Sequence, residues 1–376
     1  MRTLLLAFCL LSACDALKPK YVTQIEVDNG MAKGDYDTVC IGLKMYKNDE
    51  LRTYTAQQLA GVPDETAYKC LCEALQPKED GTWDQAVAEG LRSAENDESV
   101  KCLVDLVNKA DLPEREKALS FLARTKAPLA RKTIGDLATG TGDPKIRAAA
   151  LRSMSGDKNQ KDNLVKLMQT DADAGVRAGA ALALGGLARA DGALVAPLLA
   201  VATTDTAANV RAAAIYSARQ NPDRAAADAA CKLMLEDPEP EVRKAAVTTY
   251  KATKNPDDLA CLRKRMMSEE DSSDVRLALL DIVKSSPSDQ SGKILCDAIP
   301  FWLGTYLKAG LPENVPGTDI IRAQNDRDWD NSVACVKKAL NGRGYSCYAR
   351  QYSAYWMNEL GGSASVPKCP PPGTGG

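Results

Sequence analysis

One short phrase recurs five times in this chain: a turn, an aliphatic residue, an arginine and an alanine-rich run. It reads D-P-K-I-R-A-A-A-L from 143, D-A-G-V-R-A-G-A-A from 173, A-A-N-V-R-A-A-A-I from 207, E-P-E-V-R-K-A-A-V from 239 and S-S-D-V-R-L-A-L-L from 272. The arginines are Arg147, Arg177, Arg211, Arg243 and Arg276, at intervals of 30, 34, 32 and 33 residues. Upstream, Arg115 precedes Arg147 by 32 residues, and Arg52 precedes Arg115 by 63, about two periods, with a degenerate unit around Trp83 filling the gap. The count is eight units over residues 28–300. A fixed period of this length is the mark of stacked supersecondary units.

Each unit reads as two helices. After the arginine, apolar residues recur at helical spacing, as in Ala149, Ala150 and Met154 or Ala181, Leu184 and Leu187. A break follows, Gly156-Asp157 or Asp191-Gly192, then a second apolar helix containing Leu164 and Met168 or Val195 and Leu198. An acidic or proline turn closes the unit, and Pro144, Pro222, Pro238 and Pro256 sit in turns or at helix starts, where a missing N–H costs least. Two short helices cannot bury their shared face alone, so neighbouring units must stack into one continuous core. The pattern predicts an all-α fold, an α-solenoid of about eight stacked hairpins.

The aliphatic-Arg-x-Ala-Ala pattern at this period resembles HEAT repeats, in particular the short variety named after phycobilisome lyases. The resemblance implies HEAT-like hairpins and a structural role for Arg115, Arg147, Arg177, Arg211, Arg243 and Arg276, each linking neighbouring units through turn carboxylates and carbonyls. Asp111, Asp143 and Asp173, four residues before their arginines, suit helix capping. Such repeats serve scaffolds, adaptors and a few enzymes alike, so function has to come from elsewhere in the chain.

The N-terminus carries Arg2, an apolar run from Leu4 to Leu11, and Leu11-Ser12-Ala13-Cys14. That arrangement is a secretion signal rather than a fold element. Its last four residues resemble a bacterial lipobox, which implies cleavage after residue 13, acylation of Cys14 and a lipid anchor in a membrane. Residues 14–27 then serve as a tether. Beyond the signal, no stretch reaches the roughly 20 apolar residues of a membrane-spanning helix. The expected location is the bacterial cell envelope, facing the periplasm. A formal net charge of −2 offers no basic patch for phosphate backbones, so nucleic acid is not an expected partner.

Twelve cysteines less Cys9 in the signal and Cys14 under lipid leave ten, an even set suited to disulfides in an oxidising compartment. Cys40, Cys70, Cys72, Cys102, Cys231, Cys261 and Cys296 fall in the second helices of units, where equivalent positions on adjacent helices face one another. The expected staples are Cys40–Cys70, Cys72–Cys102 and Cys231–Cys261, with Cys296, Cys335, Cys347 and Cys369 forming two more. The chain has no histidine. That excludes Ser-His-Asp triads, Cys-His pairs and histidine metal sites, and the expectation is no catalytic residue, no metal and no small-molecule cofactor.

Residues 301–356 depart from the repeat and hold nine of the nineteen aromatics. A helical C-terminal cap over 301–360 is expected, in which Tyr348, Tyr352, Tyr355 and Trp356 are partner-binding candidates on one stripe. Residues 361–376, rich in proline and glycine, are expected to be a disordered tail except near Cys369. Arg263-Lys264-Arg265 and Glu269-Glu270-Asp271 read as solvated helix ends. The sequence therefore points to a scaffold or adaptor that binds other envelope proteins; the alternative is a binder of envelope glycan or peptidoglycan through the aromatic region.

Overall fold

The computed structural model describes residues 21–75, 84–109, 112–154, 158–253, 259–285, 288–306, 334–337, 341, 347–359 and 363–369. All regular structure among them is helical. The chain divides into two compact units, Met1–Leu167 and Met168–Gly376. The first holds α1 (Gln24–Lys33), α2 (Tyr36–Leu43), α3 (Asp49–Ala60), α4 (Glu65–Leu75), α5 (Gln85–Gly90), α6 (Lys101–Lys109), α7 (Leu112–Leu122), α8 (Pro128–Thr139) and α9 (Pro144–Ser153). Helix α10 (Lys161–Thr170) contains the division. The second holds α11 (Ala174–Ala188), α12 (Val195–Thr204), α13 (Ala208–Ala218), α14 (Arg224–Glu236), α15 (Pro240–Ala252), α16 (Ala260–Met266), α17 (Ser273–Ser285), α18 (Ser288–Tyr306) and α19 (Cys347–Glu359).

Within each unit, odd helices follow odd and even follow even. Helix α7 packs on α9 in the first unit, and α11, α13, α15 and α17 pack in succession in the second, with α12, α14, α16 and α18 as the parallel row. This is the all-α solenoid arrangement. The repeat explains the row: the residues one before, three after and seven after the arginine share a helical face. In α11 these are Val176, Ala180 and Leu184, in α13 Val210, Ala214 and Ala218, and in α17 Val275, Leu279 and Val283, all fully buried. Gly185 lets α11 and α13 approach closely, because a Cβ there would stand 2.9 Å from the Ser217 Cβ.

The phase of the hairpins differs from the sequence expectation. The sequence paired each arginine helix with the helix after it. The intimate antiparallel pairs are instead α6 with α7, α8 with α9, α12 with α13 and α14 with α15, so the arginine helix comes second. Connection length is the reason: three residues join α12 to α13 and α14 to α15, whereas six join α11 to α12, and short connections force direct antiparallel neighbours. Trp83, taken from sequence as the marker of the degenerate unit, lies outside the described residues. The unit is set instead by Asp84, whose side chain caps the Val87 N–H, which puts Ala88 where the other units carry arginine.

The helical fold also begins before residue 28, the expected start of the repeat array. Helix α1 begins at Gln24 under a capping box, with Thr23 accepting from the Glu26 N–H and Glu26 accepting from the Thr23 N–H, and Val22 is already buried. The T-x-x-E signature at 23–26 is a standard helix start. Residues 21–27 therefore belong to the fold, while Cys14 lies outside the described residues.

At the other end, Trp302 is buried on α18 and its indole N–H donates to the Met266 carbonyl at 2.7 Å. Residues 363–369, part of the expected tail, have no regular structure yet are held to α19. Asn358 donates to the Ala364 carbonyl at 3.0 Å and accepts from its N–H at 2.8 Å.

Candidate functional site

The arginines form a staggered series along the inter-helix turns of the second unit. Arg177 donates from Nε and Nη2 to the two carboxylate oxygens of Asp205 at 2.8 and 3.0 Å, while Nη1 reaches the carbonyls of Asp171 and Ala172. Arg211 repeats this on Asp237 at 2.8 and 2.9 Å, with Nη1 on the Asp205 and Thr206 carbonyls. Arg243 clamps Glu270 in the same way, takes the Asp237 and Pro238 carbonyls, and adds a bond to Asp271 at 2.9 Å. Arg276 donates to the Glu270 carbonyl at 2.6 Å. Arg177, Arg211 and Arg243 thus each tie the turn before their own helix to the turn one repeat later, by the bidentate geometry that suits carboxylates.

In the first unit the partners change. Arg115, half-buried, donates Nε to the Val107 carbonyl at 2.6 Å, and the buried Arg52 pairs with Asp49 and Asp84. Arg147 is half-buried on α9.

The sequence expected turn carboxylates and carbonyls as the partners of the arginines but did not name these carboxylates; it singled out Asp111, Asp143 and Asp173, four residues before three of the arginines, as caps. Asp143 and Asp173 do cap α9 and α11, and Asp111 lies outside the described residues. The clamping carboxylate lies six residues before the arginine of the next repeat: Asp205 before Arg211, Asp237 before Arg243 and Glu270 before Arg276, with Asp171 in the same position before Arg177. Each of these also accepts the backbone N–H two residues on, at 2.9–3.0 Å. The signal was present as acidic residues at intervals of 34, 32 and 33.

Electrostatics follow the geometry. Burial disfavours the ionised Asp205 and Glu270, but bonds from Arg177 and Arg243 and from backbone N–H groups outweigh it. The Asp205 carboxyl lies below its ordinary value, and that of Glu270 is held down at about 2. Glu270 is shared with Arg265, itself buried. The two charge clusters are therefore only partly solvated helix ends: Arg265 and Glu270 turn inward as a buried pair, while Arg263 and Asp271 stay exposed. A cluster of like charges at a turn hides this, because one member can turn inward to an opposite charge, Glu270 to the Arg243 guanidinium and Arg265 to the Glu270 carboxylate.

The structure joins Cys40 to Cys70, Cys72 to Cys102, Cys231 to Cys261, Cys296 to Cys335 and Cys347 to Cys369, with Cα–Cα separations of 5.3–5.9 Å. Helix α4 is bonded on both sides, to α2 through Cys70 and to α6 through Cys72. Of the aromatic candidates, Tyr355 is exposed on α19; the side chains of Tyr348, Tyr352 and Trp356 lie outside the described residues. Among the described residues, no group of three or more Cys, Asp or Glu side chains is placed to hold a metal ion. No helix among them is long and apolar enough to cross a membrane.

The outward side of the arginine helices in the second unit carries different residues in each repeat. Five positions after the arginine stand Leu182, Tyr216, Thr248 and Asp281. Leu182 and Tyr216 are 37% and 38% exposed, and the Arg219 guanidinium lies over the Tyr216 ring at 4.0 Å. On α15 and α17 the same side is covered by Lys244–Asp274 and Lys251–Asp281 ion pairs.

Comparison with protein families matches residues 131–217 and 195–282 to the family model of HEAT repeats. The second match starts at Val195, the first residue of α12, which is the phase the packing gives. Residues 131–282 are thus a HEAT-repeat array, an architecture of protein–protein interaction scaffolds. No curated protein matches the chain.

Proposed function

We propose that this chain is a lipid-anchored scaffold of the bacterial cell envelope, held to a membrane through Cys14, facing the periplasm and binding other envelope proteins through the outward side of its arginine helices. The observation that carries this reading is the contrast between the two sides of those helices. Inward positions repeat because packing dictates them, as in Val176, Val210, Val242 and Val275. Outward positions are free of that demand, and there α11 and α13 place Leu182, Tyr216 and Arg219. Tyrosine and arginine on a rigid helix face are the residue types in which binding energy concentrates. The lipobox-like Leu11-Ser12-Ala13-Cys14 supports the anchor.

The test is crosslinking and mass spectrometry from intact cells, with the wild-type chain beside a Leu182→Glu/Tyr216→Glu variant. The reading expects the same envelope proteins to be recovered repeatedly with the wild type and lost with the variant, whose helical signal and melting temperature are unchanged. Recovery of none, or of the same set with both, overturns it. In the same cells, Cys14→Ser is expected to move the protein from the membrane fraction to the soluble one.

A further inference from the structure

Helix α1 is the first described helix of the array, and its two sides differ. Val22 and Val27 are buried, and the helix packs on α2 and α3. On the other side Tyr21, Ile25, Asn29 and Ala32 follow at intervals of four, four and three residues, which sets them on one stripe. All four are exposed and none is charged, and the two large ones, Tyr21 and Ile25, are each 71% exposed. The acidic residues of the same helix are engaged elsewhere. Glu26 accepts from the Thr23 N–H at 2.7 Å, and Asp28 accepts from the Tyr54 hydroxyl on α3.

What covers the stripe follows from the chain before it. Six residues separate Cys14 from Tyr21, and at about 3.5 Å per residue they keep Tyr21 within about 25 Å of Cys14. With Cys14 acylated, as proposed above, the stripe starts within that distance of lipid headgroups whatever path the six residues take. So short a tether makes contact with the bilayer intramolecular, and a contact too weak to recruit a free chain is occupied in a tethered one. Lys18 and Lys20, within those six residues, favour an anionic lipid surface.

We infer that α1 rests on the lipid surface, with the Tyr21 ring at headgroup level and Ile25 among the first acyl carbons. Tyrosine suits that depth, because its ring is apolar and its hydroxyl stays at the polar boundary. Isoleucine gains by leaving water. The inference rests on the reading of Cys14 as the anchor and gives that anchor a second point of attachment, which sets the side of α1 that faces the membrane.

The test does not depend on acylation in cells. The chain from Cys14 onward, with its ten other cysteines paired, is coupled through the Cys14 thiol to maleimide-bearing lipid in vesicles of phosphatidylethanolamine and phosphatidylglycerol. It carries the photocrosslinker benzoylphenylalanine in place of Tyr21, of Ile25 or, as the control, of Tyr216. Phospholipid adducts are expected at positions 21 and 25 and far fewer at 216. Ile25→Glu is expected to lower the yield at 21 by about tenfold, the scale of one apolar side chain kept out of lipid. Glutamate in the first turn of a helix is favourable in itself, so the melting temperature of this variant holds. The inference is overturned by equal yields at 21 and 216, by adducts to a second copy of the chain in place of lipid, or by an unchanged yield with Ile25→Glu. Palmitate labelling in cells reports separately on Cys14: a labelled chain without adducts refutes the inference alone, and an unlabelled one refutes the anchor and the inference with it.

Discussion

Arg243 and Glu270 face each other across one repeat as a two-pronged pair, Nε to Oε2 at 2.8 Å and Nη2 to Oε1 at 2.7 Å, with 9% and 1% of their side chains exposed. Removing Arg243 strips the buried Glu270 of its two-pronged partner and leaves Arg265 as its remaining charged neighbour; breaking a buried pair costs about 3–5 kcal/mol at most here. Arg243→Ala is therefore expected to lower the urea midpoint strongly. Arg243→Lys should rescue little, because an ammonium cannot make two parallel bonds. Wild-type stability in the alanine variant would show that stacking alone holds this turn.

The same pair predicts a dependence on pH. The Glu270 carboxyl is lowered from 4.5 to about 2 in the folded chain. A depressed folded value means that the ionised group stabilises the fold fully above pH 4.5, and that this contribution fades as pH falls from 4.5 towards 2. Glu270→Gln lacks the titration. The stability gap between wild type and this variant should therefore be wide at pH 6 and narrow at pH 3. A gap that does not change with pH would mean that Glu270 keeps its ordinary value in the fold.

Most of the architecture was legible because it is periodic. The aliphatic-arginine phrase fixed the helix type, the spacing and the buried face, since each is a local demand repeated every unit. The phase was not legible, because a helix cannot show which neighbour it hugs; the three-residue turns after α12 and α14 decide that. Turn carboxylates were expected as partners of the arginines, but which ones, Asp205, Asp237 and Glu270, was not legible for a related reason. An acidic residue before a helix reads first as a cap, and only the packed neighbour reveals the guanidinium that it meets.

The cysteine pairs yield a third expectation. Cys231 and Cys261 close a separation of 30 residues between α14 and α16. In the chain-entropy view, a loop of that size stabilises by about 3–4 kcal/mol. Cys231→Ser/Cys261→Ser is expected to lower stability by that order. Non-reducing peptide mapping should recover the Cys40–Cys70, Cys72–Cys102 and Cys231–Cys261 peptides as linked pairs. Free thiols at these six positions would remove the staples from the account.

The last expectation concerns the closest approach of two arginine helices. Gly185 on α11 faces Ser217 on α13 so tightly that an added Cβ would lie 2.9 Å from the serine Cβ and 3.2 Å from its Cα. Backbone cannot yield as a flexible side chain does, so Gly185→Val must push the helices apart. Overpacking of this kind costs about 1–3 kcal/mol. Ser217→Gly removes the Cβ and Oγ that the new side chain meets, and should by itself destabilise slightly through helix propensity. The two changes touch at one point, so they should not add: the double variant should be more stable than Gly185→Val alone. If the losses simply sum, α11 and α13 do not meet at this pair, and the register of the arginine helices would have to be redrawn.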